Sequence, residues 1–338
     1  MNPIKVGIVG TGSIGRNHAR VFSELAGTAF TAIFDTHRAT AQEMAAKFGV
    51  KPAASLEEFA GMIDAATIAT PTATHFEIAR FLLERGKSVL VEKPITENTA
   101  DARALASLAA SRGLVLQVGH IERFNPVLGA LEARLSQPRF IEASRLSVYP
   151  GRSIDIGVVL DLMIHDLEII LHLVRSPVQR IDAVGVPVLS RGEDIANVRL
   201  RFANGCVANV TASRISQDKL RKIRVFQQDA YLSLDYQKQE GYLLRVARED
   251  EKESSLLGKL LGVAADATIV TEFAGRRIVR EPVAVEKAEP LQRELAAFLE
   301  CVRAGAQPKV SGREATAALE LALEITRLIE EPPREPVQ

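Results

Sequence analysis

The segment Ile4–Gly15, IKVGIVGTGSIG, decides the fold of the first part of the chain. A run rich in β-branched residues leads directly into three glycines, Gly10, Gly12 and Gly15, and helical spacing follows. In such a unit the first glycine permits a tight turn, the second lets a pyrophosphate approach the backbone, and the third lets helix and strand pack closely. Free N–H groups at the helix start then bind the anion. The residues that we expect to contact a dinucleotide here are Gly10, Thr11, Gly12, Ser13, Ile14 and Gly15.

An acidic residue, Asp35, ends the second apolar run, 20 residues beyond Gly15. A carboxylate at this position accepts hydrogen bonds from the adenosine ribose, which favours NAD over NADP as the cofactor. Arg38 lies close enough in sequence to hold a 2′-phosphate, so NADP remains an alternative. The competing interpretation is that the glycines only shape a turn and that Asp35 caps a helix.

The first 120 residues alternate short apolar runs with segments of helical spacing. The predicted strands are Ile4–Val9, Phe30–Phe34, Ala65–Ala69, Ser88–Val91 and Leu114–Val118. The predicted helices are Arg16–Leu25, Ala39–Phe48, Phe76–Arg85 and Ala100–Arg112. Runs that are short, apolar and separated by helices predict a parallel sheet covered on both faces. This is the pattern of an α/β, doubly wound Rossmann domain.

The pattern changes after about Ile121, where strands follow one another through short turns. The predicted strands are Phe140–Tyr149, Val178–Leu189, Ala196–Phe202, Cys206–Ser213, Lys222–Phe226 and Ala230–Asp235. They predict a largely antiparallel sheet. The predicted helices of this part are Val158–Val174, Pro290–Arg303 and Gly312–Glu331. We therefore expect two domains, residues 1–121 and residues 122–338.

The composition and charge of the chain argue against some classes of binding partner. Lys plus Arg and Asp plus Glu both number 42, so the formal net charge is zero and no global field favours nucleic acid or an anionic membrane. No apolar run reaches the ~18 residues that span a bilayer, and the N-terminus enters a strand at once, which leaves no room for a signal peptide. Cys206 and Cys301 lack metal or redox spacing and are expected to be reduced thiols. These features predict a cytoplasmic protein with no nucleic-acid or membrane partner.

Two loops follow strands of the predicted parallel sheet, at the edge where ligands of such sheets bind. Thr70, Pro71, Thr72 and His75 are expected to lie near the cofactor, although His75 could equally be a capping or packing residue. Glu92 and Lys93 end another strand, and both are expected to contact the cofactor. Lys93 could also hydrogen-bond a reacting hydroxyl and stabilise negative charge on its oxygen. The alternative is a surface lysine paired with Glu92 or Glu97.

The helix 158–174 is apolar except for a narrow stripe that is formed by Asp161, His165, Glu168 and His172. Asp161 and His165 lie one turn apart, so the carboxylate can set the tautomer and the pKa of the imidazole for proton transfer. A solvated stripe is one alternative. A zinc site is another, but no cysteine or second ligand cluster supports it, and we expect no metal.

Several polar residues near the predicted domain junction are candidates for substrate contacts. Arg123 and Asn125 follow the strand 114–118, and Arg152 follows the strand that ends at Tyr149. Arginine suits a polar or anionic substrate, although each of the two arginines could equally form a structural ion pair. The full set of expected substrate contacts is Lys93, His120, Arg123, Asn125, Tyr149, Arg152, Asp161 and His165.

Together these motifs resemble the glucose-fructose oxidoreductase/inositol dehydrogenase/MocA (Gfo/Idh/MocA) family of NAD(P)-dependent oxidoreductases. The resemblance runs from GTGSIG (10–15) through ATPTATH (69–75), VEKP (91–94) and the Asp161–His165 pair to VSGREATAALELALEI (310–325). It implies a Rossmann domain and a C-terminal α/β domain with a large, mostly antiparallel open sheet, which commonly forms a homodimer or homotetramer interface. It also implies hydride transfer between nicotinamide C4 and a sugar or polyol carbon. The catalytic set that it implies is Lys93, Asp161 and His165.

Two segments, VGHIERFNP (118–126) and DIGVVLDLMIHDLEIIL (155–171), resemble the family branch that oxidises the 3-hydroxyl of UDP-N-acetylglucosamine. In that branch the 3-keto sugar is then transaminated, on the way to lipid A or other surface glycans. A dehydrogenase of a free sugar or polyol such as an inositol is the alternative, and a non-catalytic NAD-binding sensor is an alternative from another class. Whether Lys93 or His165 is the base, and whether NADH is released or recycled in place, stays open.

Overall fold

The computed structural model describes residues 3–149, 156–247, 268–273 and 276–331, and its contacts divide the chain into two units. The first unit contains a six-stranded parallel sheet of the order β3-β2-β1-β4-β5-β6. Its strands are β1 (Ile4–Val9), β2 (Thr28–Phe34), β3 (Lys51–Pro52), β4 (Ala65–Ile68), β5 (Ser88–Glu92) and β6 (Leu116–Gly119). Every residue of β4 is buried, because helices cover both faces of the sheet. The strand order reverses between β1 and β4, so the predicted doubly wound fold is confirmed.

The α-helices within the described residues are α1 (Ser13–Glu24), α2 (Arg38–Phe48), α3 (Leu56–Met62), α4 (His75–Glu84), α5 (Thr99–Ser111), α6 (Pro126–Glu132), α7 (Ile164–Val174), α8 (Pro290–Ala304) and α9 (Gly312–Glu330). The prediction missed α3, which is only seven residues long and begins where the Ser55 side chain accepts a hydrogen bond from the Glu58 N–H. Within the described ranges, none of the helices combines the length and the apolarity that crossing a membrane requires.

The C-terminal part of the chain returns to the first unit. This unit comprises Met1–Phe124 and Ala288–Leu321, whereas the second comprises Asn125–Lys287 and Ala322–Gln338. Helix α8 contributes Leu295 and Phe298 to the same hydrophobic cluster as Val6 and Phe22 of the β1–α1 unit. The predicted division at residue 121 therefore needs a correction for residues 288–321, because burial of the apolar face of α8 joins them to the Rossmann sheet.

The second unit contains a nine-stranded sheet of the order β14-β15-β13-β12-β11-β7-β10-β9-β8. Its strands are β7 (Phe140–Leu146), β8 (Val178–Val186), β9 (Ile195–Phe202), β10 (Val207–Ser213), β11 (Leu220–Phe226), β12 (Ala230–Asp235), β13 (Glu240–Val246), β14 (Thr268–Phe273) and β15 (Arg276–Pro282). Only β7 and β10 pair in parallel among these strands. Buried and partly exposed residues alternate along β7 and β9, so one face packs on apolar residues. The predicted mostly antiparallel sheet is confirmed.

The predicted helix 158–174 is present, but it does not begin as a regular α-helix. Residues Val159–Met163 form a π turn, and α7 continues from Ile164 to Val174. A π turn inserts extra backbone into a helix and is frequent at functional sites. The irregular part carries Asp161, and the regular part carries His165.

Candidate active site

The glycine turn between β1 and α1 has the space that a dinucleotide needs. Gly10 has φ +100°, and a Cβ atom there would lie 2.4 Å from the Ala69 carbonyl oxygen. At Gly15 a Cβ atom would lie 2.0 Å from the Gly10 carbonyl oxygen. At Gly12, in contrast, a Cβ atom would meet nothing within 4 Å. Packing therefore requires the first and third glycines, whereas the second leaves open space where a pyrophosphate can approach.

The start of α1 lies directly after this open space. Gly12 is its N-cap and supplies no side-chain acceptor, and the first turn contains no acidic residue. The first N–H groups of the helix, together with the helix dipole, are thus available for an anion. Ser13 and Ile14 are exposed on this turn, whereas Thr11 is buried. The residues of the turn fit an NAD pyrophosphate, with backbone N–H groups as the donors.

Asp35 is held as an anion at the end of β2. Its Oδ2 accepts hydrogen bonds from the Thr11 N–H and hydroxyl, both at 2.7 Å, and its Oδ1 accepts one from the His37 N–H at 2.8 Å. Partial burial alone would raise the pKa of Asp35, but the hydrogen bonds from Thr11 and His37 outweigh it and lower the pKa. Thr11 therefore positions Asp35, and Arg38 is exposed at the first position of α2. An ionised Asp35 favours ribose hydroxyls over a 2′-phosphate, in agreement with the predicted preference for NAD.

The loop after β4 forms a short 3₁₀ turn, Thr72–Thr74, and enters α4 at His75. His75 is 1% exposed, and its ring nitrogens lie 2.8 Å from the Pro94 carbonyl oxygen and 2.9 Å from the Thr70 carbonyl oxygen. Burial lowers the pKa of His75, although the contacts with the Pro94 and Thr70 carbonyl oxygens oppose this shift. His75 thus joins the 70–75 loop to the Lys93–Pro94 segment, which matches its packing alternative. The partly exposed Thr70 and Thr72 and the exposed Pro71 are the residues of this loop that a cofactor can reach.

Lys93 lies at the carboxyl end of β5 among other ionisable groups of the first unit. It is partly exposed, and the buried His120 senses its charge. Burial, together with the positive charges of Lys93 and Arg123, lowers the pKa of His120 to about 3, so His120 is neutral at physiological pH. Arg123 is 7% exposed and donates to the Lys309 carbonyl oxygen at 3.4 Å. The structure therefore brings Lys93, His120 and Arg123 together, as expected for a polar site.

Two ionisable residues behind this edge were not predicted. His18 of α1 is 0% exposed, and its Nε2 lies 3.1 Å from Oε1 of Glu92. Glu294 of α8 is also 0% exposed; burial, and then the charge of Glu92, raises its pKa well above the usual value. Burial thus favours the protonated form of Glu294. Its helix is amphipathic, so the sequence pattern gives no signal that a charged residue lies inside.

The second unit carries the Asp161–His165 pair and a separate buried ion pair. Asp161 and His165 are both partly exposed, whereas the neighbouring Asp166 is 2% exposed. The Arg145 guanidinium donates to both oxygens of Asp166, at 2.7 and 3.0 Å. Glu168 is also 2% exposed, and His172 contacts Glu132 at 2.8 Å. The predicted polar stripe is thus divided, since part of it is buried and only part can meet a ligand.

The other predicted substrate contacts have different positions. Asn125 is buried and caps α6: its Oδ1 accepts from the Val127 N–H at 3.2 Å, and its Nδ2 donates to the Tyr236 carbonyl oxygen at 3.0 Å. These bonds indicate a structural role for its amide. Tyr149 is partly exposed after β7, and Arg152 lies outside the described residues.

Comparison with known proteins identifies the family to which both units are similar. Residues 4–120 match the family model GFO_IDH_MocA, described as an oxidoreductase family with an NAD-binding Rossmann fold, and residues 130–233 match the GFO/IDH/MocA C-terminal domain. UDP-N-acetylglucosamine 3-dehydrogenase from Acidithiobacillus ferrooxidans is 39% identical over 237 residues, which are 69% of this chain and 74% of that protein. The scyllo-inositol 2-dehydrogenase (NAD(+)) from Bacillus subtilis is 24% identical over 347 residues, which cover 96% of this chain and 93% of that protein.

A solved structure extends the likeness over both units. The structure of UDP-N-acetylglucosamine 3-dehydrogenase GnnA from Acidithiobacillus ferrooxidans superposes with a TM-score of 0.84 at 31% identity, and it covers 98% of this chain and 99% of that chain. The two family models together match more than half of the chain, and the glycine turn fits the dinucleotide that the family binds. The chain therefore belongs to the Gfo/Idh/MocA family of oxidoreductases and uses NAD as its cofactor.

Proposed function

We propose that this protein is a nucleotide-sugar dehydrogenase that oxidises the 3-hydroxyl of UDP-N-acetylglucosamine to the 3-keto sugar. The observation that carries the proposal is the 39% identity to UDP-N-acetylglucosamine 3-dehydrogenase over 74% of that protein. The likeness includes the full length of both chains at the level of the fold. A 3-keto sugar is a substrate for transamination, so the product suits the synthesis of lipid A or other surface glycans, and we propose a cytoplasmic location.

The proposed chemistry divides between a carbon and an oxygen of the sugar. When it is bound, NAD accepts the hydride from the carbon that carries the hydroxyl. His165, whose tautomer Asp161 sets, accepts the hydroxyl proton, and Lys93 donates a hydrogen bond to the same oxygen. The carbon–hydrogen bond and the oxygen–hydrogen bond break, and a carbonyl forms. In the alternative scheme Lys93 is the base and His165 orients the sugar. Mutagenesis is needed to distinguish the two schemes.

The first test is NADH formation by the purified protein with NAD and a panel of UDP-N-acetylglucosamine, UDP-glucose, glucose and myo-inositol. A carbonyl trap or a transaminase should be included, because an unfavourable equilibrium can hide turnover. Turnover with UDP-N-acetylglucosamine alone is expected. Turnover with free sugars alone would replace the proposal by the polyol alternative, which the full-length match to scyllo-inositol 2-dehydrogenase favours. NAD binding without any turnover would favour the sensor alternative.

The residue roles are tested with two variants and two matched controls. Lys93→Met and His165→Asn are each expected to lower kcat by about 10²–10⁴-fold while NAD binding persists. Lys51→Met changes an exposed lysine of β3, and His172→Asn changes a histidine of the same helix as His165. Both controls are expected to keep turnover. Wild-type turnover in both test variants would show that the acid–base assignment is wrong.

We also propose that the protein forms a homodimer or homotetramer through the sheet of the second unit. One face of that sheet carries a row of partly exposed aromatic rings, with centroids 5.4 Å apart for Phe140–Phe226, 4.6 Å for Phe226–Tyr231 and 6.0 Å for Tyr231–Tyr242. Aromatic residues are enriched in protein interfaces. Light scattering of the purified chain measures the oligomeric state directly, and a monomer would contradict this part of the proposal.

A further inference from the structure

The loop between β8 and β9 is closed by one buried carboxylate. Asp194 is 0% exposed, and its Oδ2 accepts the backbone N–H groups of residues Val188, Leu189 and Ser190 at 2.5–2.9 Å. Its Oδ1 accepts from the Ser190 hydroxyl and from Nε of Arg214, both at 2.8 Å. Burial alone would raise the pKa of Asp194, but these donors outweigh it and hold the pKa well below its usual value. The loop is thus a rigid element fixed by a permanent charge.

Arg214 connects this loop to the start of the helix that carries the acid–base pair. It follows β10, is 0% exposed, and forms an ion pair with Asp194. Its Nη2 donates to the Ser190 hydroxyl at 2.7 Å, and its Nη1 donates to the Ile156 carbonyl oxygen at 2.8 Å. The guanidinium therefore connects the 188–194 loop to Ile156, which lies two positions before the N-cap residue Val158. Arginine suits this task because its donors form a rigid, planar fork.

Glu193, the residue before Asp194, completes the first turn of the helix. Its carbonyl oxygen accepts the Val158 N–H at 2.9 Å, and its Oε1 accepts the Val159 N–H at 3.0 Å. Its carboxylate packs so closely over Gly157 that a Cβ atom there would lie 2.1 Å from the carboxylate oxygens. Val158 offers no side-chain cap of its own. Glu193 therefore satisfies donors that the helix cannot pair internally, and its charge complements the positive end of the helix dipole.

The contacts of Glu193 lie in the same helical turn as Asp161. Asp161 lies two residues beyond Val159, within the π turn, and its N–H donates to the Gly157 carbonyl oxygen at 3.1 Å. Glu193 thus accepts hydrogen bonds from the N–H groups of Val158 and Val159, and its carboxylate packs on Gly157, whose carbonyl oxygen accepts the Asp161 N–H. Loss of the cap would let this turn fray, and Asp161 would lose its fixed place one turn before His165.

We propose that Glu193, braced by the Asp194–Arg214 ion pair, is a positioning residue that fixes the π turn carrying Asp161. Glu193 acts through Asp161 and contacts neither substrate nor cofactor in this proposal. The inference rests on the proposed function only in one respect, namely that Asp161 orients the proton acceptor. The brace itself is a property of the second unit that can be measured without any substrate.

The test compares four variants by amide hydrogen exchange of the segment 157–165. Glu193→Ala removes the side-chain acceptor, whereas Glu193→Gln keeps an oxygen at the same reach. Gly157→Ala perturbs the same contact from the opposite side, because its Cβ atom would displace the carboxylate. Glu142→Ala is the control, since Glu142 pairs with Arg224 on the sheet of the same unit. Glu193→Ala and Gly157→Ala are expected to exchange this segment about 5–30-fold faster, the range that loss of a helix cap gives. Glu142→Ala is expected to match the wild type, and Glu193→Gln is expected to exchange more slowly than Glu193→Ala, because it keeps the acceptor and loses only the charge.

Turnover provides a second readout. Glu193→Ala is expected to lower kcat with little change in the KM for the sugar, and Glu193→Gln to restore it, because only the geometry of the proton acceptor changes. Unchanged exchange in both Glu193→Ala and Gly157→Ala would overturn the inference, whatever the activity. Faster exchange with wild-type kcat would also overturn it, since the turn would then not position a working group. Faster local exchange in a protein that turns over none of the sugars would support the brace and reject the proposed function.

Discussion

Glu294 should make the stability of the protein depend on pH in a direction that is unusual for a glutamate. Neither carboxyl oxygen of Glu294 has a hydrogen-bond partner among the described residues, and the side chain is 0% exposed. Burial and the charge of Glu92 raise the pKa of Glu294 well above 4.5. The ionisable groups on the elements around it include Glu92 at the end of β5 and His18 on α1. Glu122 and Arg123 are buried in the 3₁₀ turn Ile121–Phe124, which also packs against α8. The folded protein therefore keeps a proton on Glu294 that the unfolded chain releases above about pH 4.5. The contribution of Glu294 to stability is full below that pH and is lost as pH rises towards the folded pKa.

The magnitude follows from the linkage of one proton to unfolding. Between the unfolded and the folded pKa, each pH unit lowers the free energy of unfolding by about 1.4 kcal/mol. Glu294→Gln substitutes a neutral amide of similar size that cannot ionise, so it removes this slope. The free energy of unfolding of the variant minus that of the wild type should therefore rise by about 1.4 kcal/mol per pH unit in this window. The carboxyls of Glu92 and Glu294 interact, so the proton belongs to the pair and the upper end of the window reports the pair.

Urea unfolding at a series of pH values measures this difference directly. Glu300→Gln is the matched control, because Glu300 is exposed on the same helix and should give a curve parallel to the wild type. Parallel curves for Glu294→Gln and the wild type would refute the reasoning, because they would mean that Glu294 ionises as readily in the folded protein as in the unfolded chain. An infrared carboxylic-acid band that disappears in Glu294→Gln at neutral pH would give the same answer without unfolding.

Two further predictions concern the glycine turn and the buried ion pair. Gly12→Ala should leave the melting temperature unchanged and weaken NADH binding about tenfold or more, because its Cβ atom enters only the open space. Gly15→Ala should instead lower the free energy of unfolding by about 1–3 kcal/mol, because its Cβ atom meets the Gly10 carbonyl oxygen. Calorimetry and a NADH fluorescence titration distinguish the two, and equal effects would contradict the geometry. Arg145→Leu should cost about 3–5 kcal/mol in urea unfolding, and adding Asp166→Leu should recover much of that loss; a double variant as unstable as the single one would reject the buried charge as the cause.

The sequence predicts the first sheet well, because its strands are short apolar runs and helices with clear spacing separate them. The predicted strand Ile4–Val9 has the observed bounds, and the other predicted strands of that sheet differ by one or two residues at their ends. The two-residue strand Lys51–Pro52 and the helix Leu56–Met62 were missed, because they are too short to establish a period. The return of α8 to the first unit was missed for another reason. Its amphipathic pattern shows which face is buried, but it cannot say against which unit.

In the candidate site, too, residues within one sequence motif could be predicted, whereas contacts between distant parts of the sequence could not. Gly10, Gly15 and Asp35 could be predicted because a strand, a turn and a helix appear together in the sequence, and the structure gives each a physical reason. His75 was equally consistent with packing, and both of its ring nitrogens are engaged by backbone oxygens. Glu294 could not be predicted, since its partner Glu92 is about 200 residues away and a glutamate on a helix is usually exposed.

The retention of buried ionisable groups is itself an argument about where the chemistry takes place. An ionisable carboxyl that is 0% exposed costs stability in the neutral range, and a neutral side chain of similar volume at Glu294 would avoid this cost. Proteins keep such groups chiefly where function needs them, and strongly shifted pKa values cluster at functional sites. Two buried groups of the first unit have strongly shifted pKa values: His120, whose pKa is lowered by burial and by the charge of Lys93, and Glu294, whose pKa is raised by burial and by the charge of Glu92. If this cost serves catalysis, Glu294→Gln should gain stability at pH 7 while the pH dependence of kcat shifts. A more stable variant with an unchanged pH profile of kcat would show that Glu294 lowers stability without contributing to catalysis. The function of Lys93 would then not depend on Glu294.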